Sequence, residues 1–195
     1  MSYQSKNYDS LIGINGLSEK LLRDHFALYN GYVTNFNKLN DILVAMEKEG
    51  KFGTPEYNEL NRRFGWEFNG MRLHEYYFGN LTKDFKEFDK SSALWATIEK
   101  EWGSYEMWEK DFRAMAAMRG IGWVILYYDK QADRLFNVWI NEHDAGHFAG
   151  ATPLLVMDVF EHAYIRDYGI KRADYIDVFM KNIDWNTVEE RFRNA

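Results

Sequence analysis

Apolar residues recur through the first half of the chain at steps of three and four. Leu21, His25, Tyr29, Tyr32, Phe36 and Leu39 share one face of a long helix, opened by Ser18 as N-cap with Glu19 in the first turn. The segment GKFGTPE interrupts the pattern, and a second stripe runs through Leu60, Phe64, Phe68, Met71, His74, Phe78 and Leu81. Together the stripes predict an antiparallel helical hairpin. Charged, weakly patterned residues from Lys83 to Lys90, then Ser91 and Ser92, mark a boundary between a unit over 1–88 and one over 89–195. Two more helices are expected between Leu94 and Met118, broken near Gly103. Beyond Gly120 the period shortens: GWVILYYD and LFNVWIN, separated by KQADR, read as two strands joined by a turn. A third strand is expected near LLVMD, after the loop NEHDAGHFAGATP. Helix is expected again from Asp158 to Asp167, from Ala173 to Asn182, and in a last element capped by Asp184.

Composition narrows the function classes. The chain has 195 residues, 46% hydrophobic and 17% aromatic, too many for disorder. No apolar run approaches the roughly 20 residues that cross a bilayer, so no membrane is expected. A net charge of −6 with scattered lysines and arginines argues against nucleic acid and against an anionic membrane surface, and favours a small partner. Zero cysteines exclude disulfides and thiolate ligation. The opening MSYQSKNYDS has no basic start followed by an apolar core, so the expected location is cytoplasmic.

The candidate chemistry lies in ligand-type residues set into apolar stripes. A lone histidine there is commonly a hydrogen-bonded core residue. Here His25, His74 and the pair Asp158 and His162 occupy three separate expected elements. An i,i+4 spacing would stack Asp158 over His162 on one helix face. A buried carboxylate without a partner is expensive, and a cation would compensate it. Three imidazoles and one carboxylate suit iron, manganese or zinc. The absence of a Glu-x-x-His pair argues against a ferritin-like di-iron bundle. HDAGH, residues 143–147, has zincin-like histidine spacing but sits in a Gly-containing loop with Asp in place of Glu.

At these residues the sequence resembles the iron/manganese superoxide dismutase family. DVFEHAY, from Asp158 to Tyr164, is similar to the family's Asp-x-Trp-Glu-His-Ala-Tyr signature, and Gly122-Trp123 and IDWNTVEERF resemble further landmarks in the same order. The resemblance extends from about Leu17 to Phe192. It implies an α+β fold, a helical hairpin domain followed by an α/β domain with a three-stranded antiparallel sheet. It also implies one Fe or Mn ion per subunit held by His25, His74, Asp158 and His162, with a bound solvent as fifth ligand. The implied reaction disproportionates superoxide to oxygen and hydrogen peroxide by alternating reduction and oxidation of the ion. Tyr32 resembles the family's gateway tyrosine and Trp123 a wall of the pocket. Glu161 resembles the acidic residue that crosses a homodimer interface to the partner's last histidine, and Arg172 is the nearest match to a funnel cation.

Departures from the pattern carry expectations of their own. The second-helix position where a glutamine can stand is Gly70, and the loop position is His143, whose imidazole would donate toward the bound solvent. Phe78 and Phe160 replace tryptophans. His25 and Tyr32 are seven apart where the family has eight, and seven is close to two regular turns, so the first helix should need no bulge. A histidine and a tyrosine that pair across the family's dimer are both missing, Ile165 standing for the second. The competing readings are a metal-binding homodimer of this fold with little dismutase turnover and, more weakly, a zinc hydrolase. The sequence leaves open iron against manganese and dimer against tetramer.

Overall fold

A computed structural model describes residues 2–195. Helix α1, Glu19–Lys48, begins where the Ser18 hydroxyl accepts the Leu21 N–H. Asp167 holds Ser18 in turn, through its backbone N–H and its hydroxyl, both at 2.7 Å. Helix α2, Pro55–Gly79, is capped by Thr54 with proline at its first position. The two helices pack as a hairpin across a turn in which Gly50 and Gly53 take positive φ. α1 is an uninterrupted α-helix, so His25 and Tyr32 stay on one side of it, as the seven-residue spacing requires.

After residue 88 come α3, Ala93–Trp102, and α4, Tyr105–Ala116, separated by Gly103 in the left-handed region and re-capped by Ser104. Strands β1, Gly122–Asp129, β2, Arg134–Asn141, and β3, Thr152–Asp158, form one antiparallel sheet in the order β2-β1-β3. Central β1 is buried along most of its length because α4 packs on it and on β2, while α2 and α7 cover β3. Short α5, Ile165–Tyr168, then α6, Arg172–Met180, and α7, Trp185–Asn194, complete the chain.

The two halves share one hydrophobic core. Asn80, at the end of α2, ties them together. Its backbone carbonyl accepts the Asp184 N–H at 3.0 Å and its side-chain oxygen accepts the Val156 N–H at 2.9 Å. Arg191 of α7 donates to the Leu154 and Tyr76 carbonyls. This stitching fixes the last turns of α2 against β3, where the histidines and carboxylate meet.

The structure corrects one expected element. No helix runs from Asp158 to Asp167. Asp158 is the last residue of β3, and a single 3-10 turn, Glu161–Ala163, precedes α5. The Asp158 carboxylate accepts the Phe160 N–H at 2.8 Å, and this side-chain bond turns the chain out of the sheet. The four-residue spacing of Asp158 and His162 therefore works across a strand end and a turn, not along a helix face.

Candidate metal centre

Four elements converge on one point. The Nε2 atoms of His25 and His162 lie 3.1 and 3.0 Å from Asp158 Oδ2, and that of His74 lies 3.6 Å from it. His25 comes from the second turn of α1, His74 from the last turns of α2, Asp158 from the end of β3 and His162 from the 3-10 turn. The Phe160 N–H occupies Asp158 Oδ1, so Oδ2 is the oxygen left to the imidazoles. Tyr175 holds the same residue from behind, donating to its backbone carbonyl at 2.7 Å.

Burial would raise the Asp158 carboxyl, but the His162 imidazole and the hydrogen bonds from His162 and His25 outweigh it and hold the group ionised well below the usual range. Desolvation drives His25 and His74 the other way, toward the neutral form. His74 is fixed further, because its Nδ1 donates to the Gly70 carbonyl at 2.6 Å and its Nε2 is therefore a bare lone pair. That Nε2 is fully buried with no hydrogen-bond partner.

An orphaned buried imidazole nitrogen is costly unless something accepts its lone pair. The donor atoms of the four residues all lie within 4.8 Å of one another. One ion with bonds of about 2.1 Å spaces its donors by up to about 4 Å, so a few tenths of an ångström of side-chain movement closes the set. A buried anion, the neutral imidazoles of His25 and His74 and an orphaned lone pair fit a single hard-to-borderline cation, and one Fe or Mn ion meets that description.

Around this cluster a polar chain runs through His143. Far from being a surface loop residue, His143 is fully buried, and burial lowers its pKa to about 4. The ring is thus neutral with one N–H. Trp123 Nε1 can only donate, and it does so to His143 Nδ1 at 3.1 Å. The proton therefore sits on Nε2, which donates to the Tyr32 hydroxyl at 2.7 Å, leaving the Tyr32 O–H for another acceptor. Both imidazole nitrogens are spent on Trp123 and Tyr32. The nitrogen expected to donate toward a bound solvent is directed at the Tyr32 hydroxyl in this geometry. Gly70 makes the arrangement possible: a Cβ there would sit 2.5 Å from Tyr32 Cδ1.

Phe160 stacks on the His143 ring at 4.8 Å and Phe78 packs edge-on to His25 at 4.9 Å, so both phenylalanines wall the cluster. Arg172 is pinned, donating to the Tyr164 hydroxyl and to the Met118 and Gly120 carbonyls. Glu161 has its side chain outside the cluster, exposed on the 3-10 turn. Sequence reasoning missed Trp66, edge-on to His143 at 4.8 Å, with the Arg63 guanidinium 4.6 Å above it. Arg63 also pairs with buried Glu67 at 2.9 Å. Their i,i+4 spacing, with a carboxylate between Phe64 and Phe68, was the available signal.

Residues 90–191 match the family model described as iron/manganese superoxide dismutases, C-terminal domain. The chain belongs to that family. It is 40% identical to the superoxide dismutase (Fe) of Cupriavidus metallidurans over 93% of this chain and 91% of that protein. It is 37% identical to a protein of the same name from Aquifex pyrophilus, over 93% of this chain and 87% of the relative. Superoxide dismutase (Mn) 2 of Haloferax volcanii is 32% identical over 92% of this chain and 88% of its own length. These names divide between the two metals. The helix-then-sheet order and the three-stranded antiparallel sheet agree with the family's α+β fold.

Proposed function

We propose that this chain is a superoxide dismutase whose single Fe or Mn ion is held by His25, His74, Asp158 and His162. The observation that carries the reading is the convergence of three imidazole Nε2 atoms on one buried carboxylate oxygen, with His74 Nε2 otherwise orphaned. When bound, the ion would supply one-electron redox chemistry toward superoxide. The chain's own residues hold the donors, keep bulk water out and manage protons. Gly70's carbonyl fixes the His74 tautomer that presents Nε2, and Tyr77 and Tyr175 brace Asp158. Phe78, Phe160 and Trp123 give the site apolar walls. Tyr32, oriented by His143 and through it by Trp123, is the protonated hydroxyl at the edge of the cluster, and burial raises its pKa to about 12. It is suited to present a proton as peroxide forms.

Two domains are part of this reading, residues 1–88 supplying His25 and His74 and residues 89–195 supplying Asp158 and His162. A homodimer is a further part. It is supported by a cleft of about 570 Å³ bounded by Met118, Ile121, Glu161, Ile165, Ile170 and Arg172. Met118, Ile121, Ile165 and Ile170 are all exposed along it, an apolar patch of the kind a partner covers. Exposed Glu161 lines the same cleft and, in this reading, would extend toward the partner's site; sedimentation velocity measures the state. No helix among the described residues is long and apolar enough to cross a membrane, and a cytoplasmic location remains the reading from composition.

Asp158→Asn tests the ligand assignment. Elemental analysis should show ion content well below one per chain in a protein that still folds. Full occupancy with undiminished turnover would remove Asp158 from the set.

A further inference from the structure

His147, the second histidine of HDAGH, has no part in the reaction described so far. It lies outside the ligand cluster, yet both its nitrogens are engaged. Nε2 lies 2.8 Å from the backbone carbonyl of His143, and Nδ1 lies 2.7 Å from the Tyr127 hydroxyl. A carbonyl can only accept, so Nε2 carries a proton and donates it to the His143 carbonyl. Tyr127 is almost wholly buried, which raises its pKa and keeps its hydroxyl a donor to Nδ1.

The pattern repeats itself four residues apart. On β1, Trp123 donates to Nδ1 of His143 and Tyr127 donates to Nδ1 of His147. The register shift near Tyr127 skips Leu154 on β3 and leaves the pairing of β1 with β2 regular, so residues 123 and 127 share one face of the central strand. The loop's own i,i+4 spacing matches that pair of donors. Each imidazole then uses its Nε2–H to hold something else: His143 holds Tyr32, and His147 holds His143's backbone.

The loop between these points is tightly closed. Asn141 and Ala145 bridge at 2.9 Å, Glu142 takes φ +53°, and Gly146 takes φ +105°, where a Cβ would meet the Trp139 carbonyl at 3.1 Å. A segment with two residues at positive φ has little intrinsic preference for this shape and needs anchoring at both ends. The bridge anchors the start. His147 anchors the end.

We propose that HDAGH is a two-point latch on the central strand, in which His147, oriented by Tyr127, is a positioning residue that sets where His143 holds Tyr32. This rests on the proposed role of His143. The consequence is that loss of His147 releases the loop end and lets the His143 ring drift from Trp123 and Tyr32. Drift of about 1 Å in a group that orients a proton donor costs on the order of 10- to 100-fold in rate.

The test uses holoprotein with matched metal content: His147→Ala, His147→Gln, Tyr127→Phe, His143→Ala and the double variant His143→Ala/His147→Ala, compared in dismutation rate. His147→Ala should lose about tenfold or more with unchanged ion content. Glutamine, whose amide can still donate to the His143 carbonyl, should restore most of it, and Tyr127→Phe should fall between. The double variant should be no slower than His143→Ala, because both act through the same ring. A crystal structure of His147→Ala should show His143 Nδ1 beyond hydrogen-bond distance of Trp123. If His143→Ala slows turnover while His147→Ala does not, the latch is wrong. The latch also fails if glutamine gives no rescue, or if the double variant is slower by the product of the single losses. If His143→Ala itself has no effect, the role of His143 fails instead, and the His147→Ala structure alone decides whether the loop is latched.

Discussion

Replacing Gly70 by alanine adds one methyl group against the Tyr32 ring beside the candidate metal centre. Its Cβ would stand 2.5, 2.7 and 2.9 Å from three carbons of the Tyr32 ring, where ordinary carbon contacts need about 3.5 Å or more. The ring cannot rotate away from a contact along its whole edge, so Tyr32 has to retreat by about 1 Å. Its 2.7 Å bond with His143 would then stretch to about 3.7 Å and cease to be a hydrogen bond. Stability changes less than this suggests. Alanine gains about 1 kcal/mol over glycine inside a helix. Overpacking costs about 1–3 kcal/mol and the lost hydrogen bond about 1 kcal/mol. A net loss of roughly 2 kcal/mol corresponds to about 4–8 °C in Tm for a chain of this size. Ion content should not change, since His74 bonds Gly70 through the backbone carbonyl, which alanine retains. Dismutation should fall on the order of 10- to 100-fold. Gly70→Ala should add little to Tyr32→Phe, because both remove the same hydroxyl from the same place. The assay is turnover per bound ion with a Tm for each variant. Wild-type turnover, with Tyr32 still 2.7 Å from His143 in a crystal structure of Gly70→Ala, would refute the reasoning.

Other expectations follow from the same geometry. His143 has its pKa lowered to about 4 in the folded chain against 6.5 unfolded, so the unfolded chain binds more protons between those values and stability falls as pH drops through that window. The metal-free protein should lose roughly 2 kcal/mol from this group between pH 7 and pH 5, and His143→Gln should remove that part of the loss in urea titrations at the two pH values. Removing the ion with a chelator should lower Tm, because the ion binds only the folded arrangement of donors, and restoring it should reverse the shift. Tyr175→Phe removes the donor to the Asp158 carbonyl and should weaken ion retention under competing chelator without unfolding the chain, a result read by elemental analysis after dialysis.

Much of the fold was legible because its signals are local. Ser18 and Asp184 cap α1 and α7 through their own side chains, and the change of period beyond Gly120 tracks the passage into the sheet. Two histidines in long apolar stripes met because regular helices project such residues predictably, and the seven-residue spacing of His25 and Tyr32 carried the straightness of α1. What failed was the segment after β3. DVFEHAY has the apolar spacing of a helix, but the Asp158 side chain competes for the Phe160 N–H and ends the strand in a turn, a choice that depends on Gly122 and Tyr175 lying far away in sequence. The hydrogen-bond partners of His143 were also hidden. Nothing local says that a loop imidazole is wedged between Trp123 and Tyr32, with Trp66 and Phe160 against its ring.

The measurement closest to the central claim is metal reconstitution. Metal-free protein is loaded separately with iron and with manganese, and each form is assayed for bound ion per chain and for superoxide dismutation. The account predicts close to one ion per chain, bound by the three histidines and Asp158, with dismutation in at least one of the two forms. Stoichiometric binding of either metal without dismutation in both would contradict it, and would leave a metal-binding protein of this fold in its place.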